Sequence, residues 1–123
     1  MLLEFRVKNF RSLRDECTLS LVASNDKMLA ATNTIETGIK SLPSVVRTTA
    51  IYGANASGKS NLVRAMQLMR AVVLESASLQ LGQTFAVQPF KLDPTSATEP
   101  TELEVIFLLN LKKSCVYPPK TLR

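Results

Sequence analysis

Eight consecutive residues combine glycines, hydroxyls and a lysine at a spacing that suits phosphate binding. They are Gly53, Ala54, Asn55, Ala56, Ser57, Gly58, Lys59 and Ser60. The order matches the pattern of two glycines with four residues between them, then lysine, then serine or threonine. In such a loop successive backbone N–H groups point inward, and the following helix adds the positive end of its dipole. The sequence therefore predicts a nucleotide-binding phosphate loop at residues 53–60.

Each side chain of this loop has an expected task. Gly53 and Gly58 leave room for backbone torsions or close approaches that a Cβ would block. Lys59 is expected to reach the β- and γ-phosphates as a point charge and is the candidate catalytic residue. Ser60 is expected to offer its hydroxyl to Mg²⁺. The alternative is a glycine turn followed by a surface lysine on an amphipathic helix.

The flanks of the loop predict the elements that position it. Residues 45–52 are rich in β-branched side chains and favour a strand. A helix is expected to begin at Lys59 and to end near Gly82, which would serve as a C-terminal cap. Its apolar residues form two adjoining faces, and we expect them to pack against a sheet: Leu62, Met66, Met69 and Val73 on one, Ala65, Leu68 and Val72 on the next. A strand, this loop and a helix in succession form the structural context of a phosphate loop.

Residues 53–62, G-A-N-A-S-G-K-S-N-L, resemble the loop of ABC-type ATPases of the SMC/RecF-like group. The opening residues 2–13 resemble the first strand and turn of those heads. The chain is similar, over roughly residues 1–110, to the N-terminal part of bacterial AAA-type, ABC-like ATPases, including OLD-like proteins. This resemblance implies an α/β fold with α+β elements, namely an antiparallel β-layer that precedes the P-loop strand and helix of an ABC-type head.

The resemblance also implies ligands and partners. ATP and Mg²⁺ are the expected cofactors, and Asn61 joins the residues around the nucleotide. Asn9, Arg11 and Ser12 of the opening turn are expected near its base, ribose or phosphates. Full-length members sandwich ATP in a head-to-head homodimer and couple ATP binding and hydrolysis to an effector.

Hydrolysis needs an acid that orders Mg²⁺ and a group that orients water. The apolar run 105–109 is followed by Asn110 and Leu111 rather than an acid, and Glu75 lies on the helix that leaves the loop. An L-S-G-G-Q segment and histidine are both missing from the sequence. ATPase activity therefore follows from the resemblance alone. The alternatives are another phosphate-loop enzyme, although a guanine-reading N-K-x-D is missing, or a catalytically inactive truncated fragment.

The predicted domain covers residues 1–110, and residues 111–123 are treated as a separate basic tail. That tail holds four of the fifteen positive charges and none of the ten negative ones. We expect an aberrant or truncated end; a tail that touches nucleic acid or another subunit is the alternative. Residues 24–43 and 93–100 are rich in turn-forming side chains and are expected to be loops.

Composition sets the broad class. A hydrophobic content of 46% with 20% charged residues indicates a globular chain rather than a disordered one. Most of the net charge of +5 comes from the tail, so nucleic acid is possible but not indicated. Cys17 and Cys115 fit no metal spacing, and Cys17 is expected to face the interior from a second strand. Without a signal peptide or membrane span, a cytoplasmic protein is expected.

Overall fold

The computed structural model describes residues 1–26, 28–80 and 83–109, together with the strand formed by residues 113–122. The elements in chain order are β1 (Leu2–Lys8), β2 (Cys17–Ser20), α1 (Ala30–Asn33), β3 (Thr34–Ile39), β4 (Leu42–Val46), α2 (Lys59–Glu75), β5 (Thr101–Leu109) and β6 (Lys113–Leu122).

Four strands form the main sheet in the order β2-β1-β5-β6, and every pairing in it is antiparallel. Strand β1 alternates strictly: Leu3, Phe5 and Val7 are buried, and the charged residues between them lie on the other face. The predicted antiparallel β-layer is therefore confirmed. Strand β6 belongs to the residues that the sequence assigns to a tail, and the hypothesis that this end is aberrant stays a prediction.

Helix α2 covers the buried face of the sheet. Phe5, Val7 and Leu103 from the strands meet Leu62, Ala65 and Met69 from the helix in one cluster, to which Cys17 adds its side chain as predicted. The helix residues that are buried recur at intervals of three and four, which is the spacing of a single helical face.

Two expectations about α2 were wrong. Val73, assigned to a packed face, is 44% exposed, because the sheet covers only one side of the helix. The helix ends at Glu75 rather than near Gly82, which lies outside the described residues. The hydroxyl of Ser78 donates to the Glu75 carbonyl at 2.8 Å and takes an acceptor that a longer helix would use.

A second, two-stranded sheet pairs β3 with β4 in an antiparallel hairpin. The expectation of a loop over residues 24–43 was therefore wrong, since α1, β3 and the start of β4 lie within it. Tertiary packing explains the difference. Val45 is fully buried against Leu3 and Leu108, and the hairpin side chains Ile35 and Ile39 pack around this cluster.

The prediction of a strand over residues 45–52 was also wrong, because only its first two residues belong to a strand. Strand β4 ends at Val46, and residues 47–52 belong to no strand. Ile51 is 43% exposed and Tyr52 is 92% exposed. A phosphate-loop strand ordinarily lies between parallel neighbours that bury both of its faces. Every strand pairing in the described part of the chain is antiparallel, so these β-branched residues have no such neighbours.

Candidate nucleotide-binding site

The predicted loop lies at the start of α2. Gly58 precedes the helix with φ 93°, in the left-handed region that favours glycine, and Ala56 also has a positive φ of 64°. The N–H groups of Asn61 and Leu62 both donate to the Gly58 carbonyl, at 2.9 and 3.0 Å. The N–H groups that precede them at a helix start have no partner within the helix. This end of α2 is therefore suited to an anion.

Glycine is favoured at position 58 by contact as well as by conformation. A Cβ added there would lie 3.0 Å from Leu13 Cδ2 and 3.4 Å from Ser12 Oγ. The turn that joins β1 to β2 thus packs directly on the phosphate loop. A Cβ on Gly53 would lie 3.0 Å from Ser57 Oγ, so the start of the loop is equally close to its middle.

The lysine of the motif lies across its own loop. Lys59 Nζ donates to the carbonyls of Gly53 and Ala54 at 2.7 and 2.6 Å, and it lies 3.4 Å from Ser57 Oγ. The ammonium group is exposed. Its charge is therefore held at the loop while remaining open to a ligand.

A cleft of about 440 Å³ opens beside the loop. Its lining combines the loop with one residue of the β1–β2 turn and one further along α2: Ser12, Asn55, Ala56, Ser57, Gly58, Lys59, Ser60, Asn61 and Arg64. The lining contains two cations and no acid. An anionic ligand would therefore meet attraction and no opposing charge.

Three side chains connect one wall of this cleft. Asn61 Nδ2 donates to Ser12 Oγ at 2.7 Å, and Arg64 Nη1 donates to Asn61 Oδ1 at 3.1 Å. The structure thus brings the predicted residues Ser12 and Asn61 together. Arg64 was missed by the sequence analysis, although its position three residues after Asn61 on a helix is a usable signal.

Asn9 is buried and does not line the cleft. Its side chain is 1% exposed, and Nδ2 donates to the carbonyls of Ser96 and Glu99, both at 2.8 Å. Its Oδ1 accepts the N–H of Phe90 at 2.9 Å. The side-chain amide is therefore fully engaged with the main chain, and a position of Asn9 near the nucleotide stays a prediction. Asn9 fixes the turn to the segment that leads into β5.

Arg11 does not line the cleft. Its backbone N–H donates to the Gln88 carbonyl at 2.7 Å, and its guanidinium lies 5.8 Å from the centroid of the Phe10 ring. Its Nε is buried without a hydrogen-bond partner. A role for Arg11 in nucleotide binding stays a prediction.

Ser60 lines the cleft and fits a contact to Mg²⁺, an ion that keeps several waters and takes few protein ligands. Among the described residues no group of three or more His, Cys, Asp or Glu could hold a metal ion. Strand β5 carries two acids, Glu102 and Glu104, but they pair with Lys8 and Arg6 and do not line the cleft. Thr101 Oγ1 donates to the Asn9 carbonyl at 2.6 Å, so β5 begins at the loop side. Its other end pairs with Leu2, about 20 Å away at the rise of a strand.

The two cations of strand β1 are paired with acids. Arg6 contacts Glu4 at 2.6 Å and Glu104 at 2.9 Å, and Lys8 lies 3.8 Å from Glu102. These pairs lie on the face of the sheet that α2 leaves uncovered. They leave little free positive charge there.

In the described ranges no helix has both the length and the apolar character needed to cross a bilayer.

Comparison with protein families identifies this region. The family model described as "AAA domain, putative AbiEii toxin, Type IV TA system" matches residues 48–112, more than half of the chain and inclusive of the whole phosphate loop. No curated protein and no solved structure matches the chain significantly. With a family model that spans most of its length and a phosphate loop at the start of a helix, the chain belongs to this family of AAA domains and carries a P-loop ATPase-like nucleotide-binding region.

Proposed function

We propose that the chain binds Mg·ATP through residues 53–60, as part of an ABC/SMC-like AAA-type ATPase head. The observation that carries the proposal is the cleft beside the loop. It combines the exposed ammonium of Lys59, the start of α2 and an acid-free lining in one place. The family match supports nucleotide binding, and the SMC/RecF-like reading rests on the resemblance of residues 53–62.

The residues divide the work by their chemistry. The amides of Asn55, Ala56, Ser57 and Gly58 and the first turn of α2 would surround the phosphates. The Lys59 ammonium now donates to the carbonyls of Gly53 and Ala54. On nucleotide binding it would give up one of these hydrogen bonds and donate to phosphate oxygens instead. Ser60 would hold Mg²⁺, which supplies positive charge to neutralise the phosphates.

Hydrolysis requires groups that the sequence does not offer near the loop. We propose that ATP turnover belongs to a complete head, in which a second subunit closes the site in a head-to-head homodimer. The coupled effector belongs to that assembly too. The second candidate is a catalytically inactive, truncated fragment, favoured by the exposure of Ile51 and Tyr52, which belong to no strand.

Calorimetry of Mg·ATP binding tests the proposal. Lys59→Ala should weaken binding by roughly 10- to 100-fold, the usual worth of a charged hydrogen bond. Lys40→Ala, in the exposed turn of the β3–β4 hairpin, is the matched control and should bind like the unmodified chain. Equal affinity of the Lys59 variant, or no binding by a chain with a folded circular-dichroism spectrum, would contradict nucleotide binding at this loop.

A further inference from the structure

Arg64 is a second cation of the cleft that the phosphate-loop motif does not include. It is exposed, and Nη1 makes a hydrogen bond of 3.1 Å to Asn61 Oδ1. A guanidinium carries five N–H donors. No carboxylate among the described residues pairs with Arg64, whereas Arg6, Lys8 and Arg14 all lie within 4.0 Å of one. Arg64 therefore keeps both charge and donors available at the edge of the cleft.

The direction of the Arg64 side chain is set by its neighbours. Side chains on a helix lean toward its N-terminus, so an arginine at this position reaches back over the preceding turn. There Asn61 Oδ1 accepts a hydrogen bond from the Arg64 guanidinium. Because Asn61 Nδ2 donates to Ser12 Oγ, its oxygen is the atom that faces Arg64, as a donor-only guanidinium requires. Ser12 and Asn61 thus direct the exposed guanidinium toward the edge of the cleft.

The two cations occupy different parts of the site. Lys59 lies over Gly53 and Ala54 at the beginning of the loop, where the outer phosphates are expected. Arg64 lies past Asn61, beyond the first turn of α2. A nucleotide whose outer phosphates lie at Lys59 would extend its sugar-bound phosphate toward Asn61. A guanidinium matches phosphate oxygens through paired N–H groups.

We propose that Arg64 binds the sugar-bound phosphate of the nucleotide, positioned by the hydrogen bonds that link it through Asn61 to Ser12. This assignment rests on the proposed function and adds a specific phosphate contact to it. Asn61 is a positioning residue in this arrangement. Arg64 itself contacts the ligand.

The test compares Mg·ATP and inorganic tripolyphosphate as calorimetric ligands for Arg64→Gln and Arg64→Lys. Glutamine can still donate to Asn61 but carries no charge, so Arg64→Gln should bind both ligands roughly five- to tenfold more weakly. Lysine keeps the charge but loses the paired N–H groups, so the affinity of Arg64→Lys should fall between those of the unmodified chain and Arg64→Gln. Arg70→Gln, on the same helix and outside the cleft lining, should change neither affinity.

The following results would overturn the assignment. Unchanged affinities in Arg64→Gln would show a surface cation that only bonds Asn61. A loss for ATP but not for tripolyphosphate would place the contact at the sugar or base. Failure of the unmodified chain to bind either ligand would remove nucleotide binding itself and this assignment with it. Binding that Lys59→Ala weakens and Arg64→Gln leaves intact would retain the proposed function and refute only the role of Arg64.

Discussion

The side-chain amide of Asn61 donates a 2.7 Å hydrogen bond to the hydroxyl of Ser12, a residue 49 positions earlier in the chain. This bond joins the β1–β2 turn to the first turn of α2. At the same place Ser12 Oγ and Leu13 lie at contact distance from the missing Cβ of Gly58. The phosphate loop therefore has two walls, its own helix and a turn from the beginning of the chain.

The Ser12–Asn61 bond predicts an energetic coupling between the two elements. In a double-mutant cycle of Ser12→Ala and Asn61→Ala, the free energies of unfolding should differ from additivity by roughly 0.5–1 kcal/mol, the net worth of an exposed neutral hydrogen bond. Urea denaturation measures it. Ser12→Ala combined with Gln67→Ala, on an exposed part of α2, should be additive. Additivity in both pairs would mean that the turn and the helix do not interact through this bond.

Gly58→Ala should destabilise the chain more than Gly38→Ala. Both glycines have left-handed φ values, 93° and 72°, so each substitution costs about 1 kcal/mol of conformational strain. Only Gly58 would also bring its Cβ within 3.0 Å of Leu13, whereas nothing lies within 4 Å at Gly38. We expect an additional cost of roughly 1–2 kcal/mol at position 58 from overpacking, measured by thermal unfolding.

The two glycine variants should also differ in their affinity for the nucleotide. Gly58→Ala should also weaken Mg·ATP binding, because the displaced turn carries Ser12 away from Asn61. Gly38→Ala should leave binding intact, since the β3–β4 hairpin contributes no residue to the cleft lining. Equal effects of the two variants on both stability and binding would argue against close contact between the turn and the loop.

Asn9→Ala should be among the most destabilising single substitutions in the chain. It would strip the carbonyls of Ser96 and Glu99 of a buried donor, and it would place alanine at φ 53°, where asparagine is better tolerated. We expect a loss of roughly 2–4 kcal/mol in the free energy of unfolding. The control Asn25→Ala, in an exposed bend, should stay within about 0.5 kcal/mol. A similar loss for both asparagines would refute the structural role of Asn9.

The parts of the fold that could be predicted from sequence are those with local signals. The phosphate loop and the start of α2 at Lys59 follow from motif spacing, and the apolar run 105–109 lies within β5. The antiparallel pairing of the first strand followed from a resemblance. The role of Asn9 could not be predicted, because its partners Phe90, Ser96 and Glu99 lie more than 80 positions away.

Residues 47–52 show that a local sequence signal can also predict an element that does not form. Their β-branched composition favours a strand, yet a strand forms only where neighbours supply hydrogen bonds and cover its faces. The residues just before them, Val45 and Val46, have such a neighbour in β3. The spacing of Arg64 from Asn61 signals that the two are neighbours on the helix, but only the bond from Asn61 to Ser12 shows that the Asn61 oxygen faces Arg64.

Asp93 should make stability depend on pH. A hydrogen bond from the Thr95 hydroxyl, then those from the Thr95 N–H and the Ser96 hydroxyl, lower the pKa of its carboxyl below the usual value, and Arg14 adds a weaker attraction. A carboxyl whose pKa is lower in the folded state stabilises that state above its unfolded pKa of about 4. This stabilisation is lost as the pH falls through the folded pKa.

Thermal unfolding between pH 7 and pH 3 measures this contribution. The difference in Tm between the unmodified chain and Asp93→Asn should be largest near pH 7 and should shrink as the pH falls below about 4. Thr95→Val removes one hydroxyl donor and should move the loss of stability to higher pH. A Tm difference that is constant across the range would show that Asp93 titrates alike in the folded and unfolded chain.

The boundary between β4 and the segment that leads to the phosphate loop predicts a contrast between Val45 and Tyr52. Val45 is fully buried, so Val45→Ala should cost roughly 1–3 kcal/mol through lost burial and an unfilled space. Tyr52 is 92% exposed, so Tyr52→Ala should change stability by no more than about 0.5 kcal/mol despite removing a larger side chain. Urea denaturation of both variants measures the contrast. A comparable loss for Tyr52→Ala would mean that residues 47–52 pack as a buried strand in solution, and the phosphate loop would then have the strand support that its antiparallel surroundings do not give it.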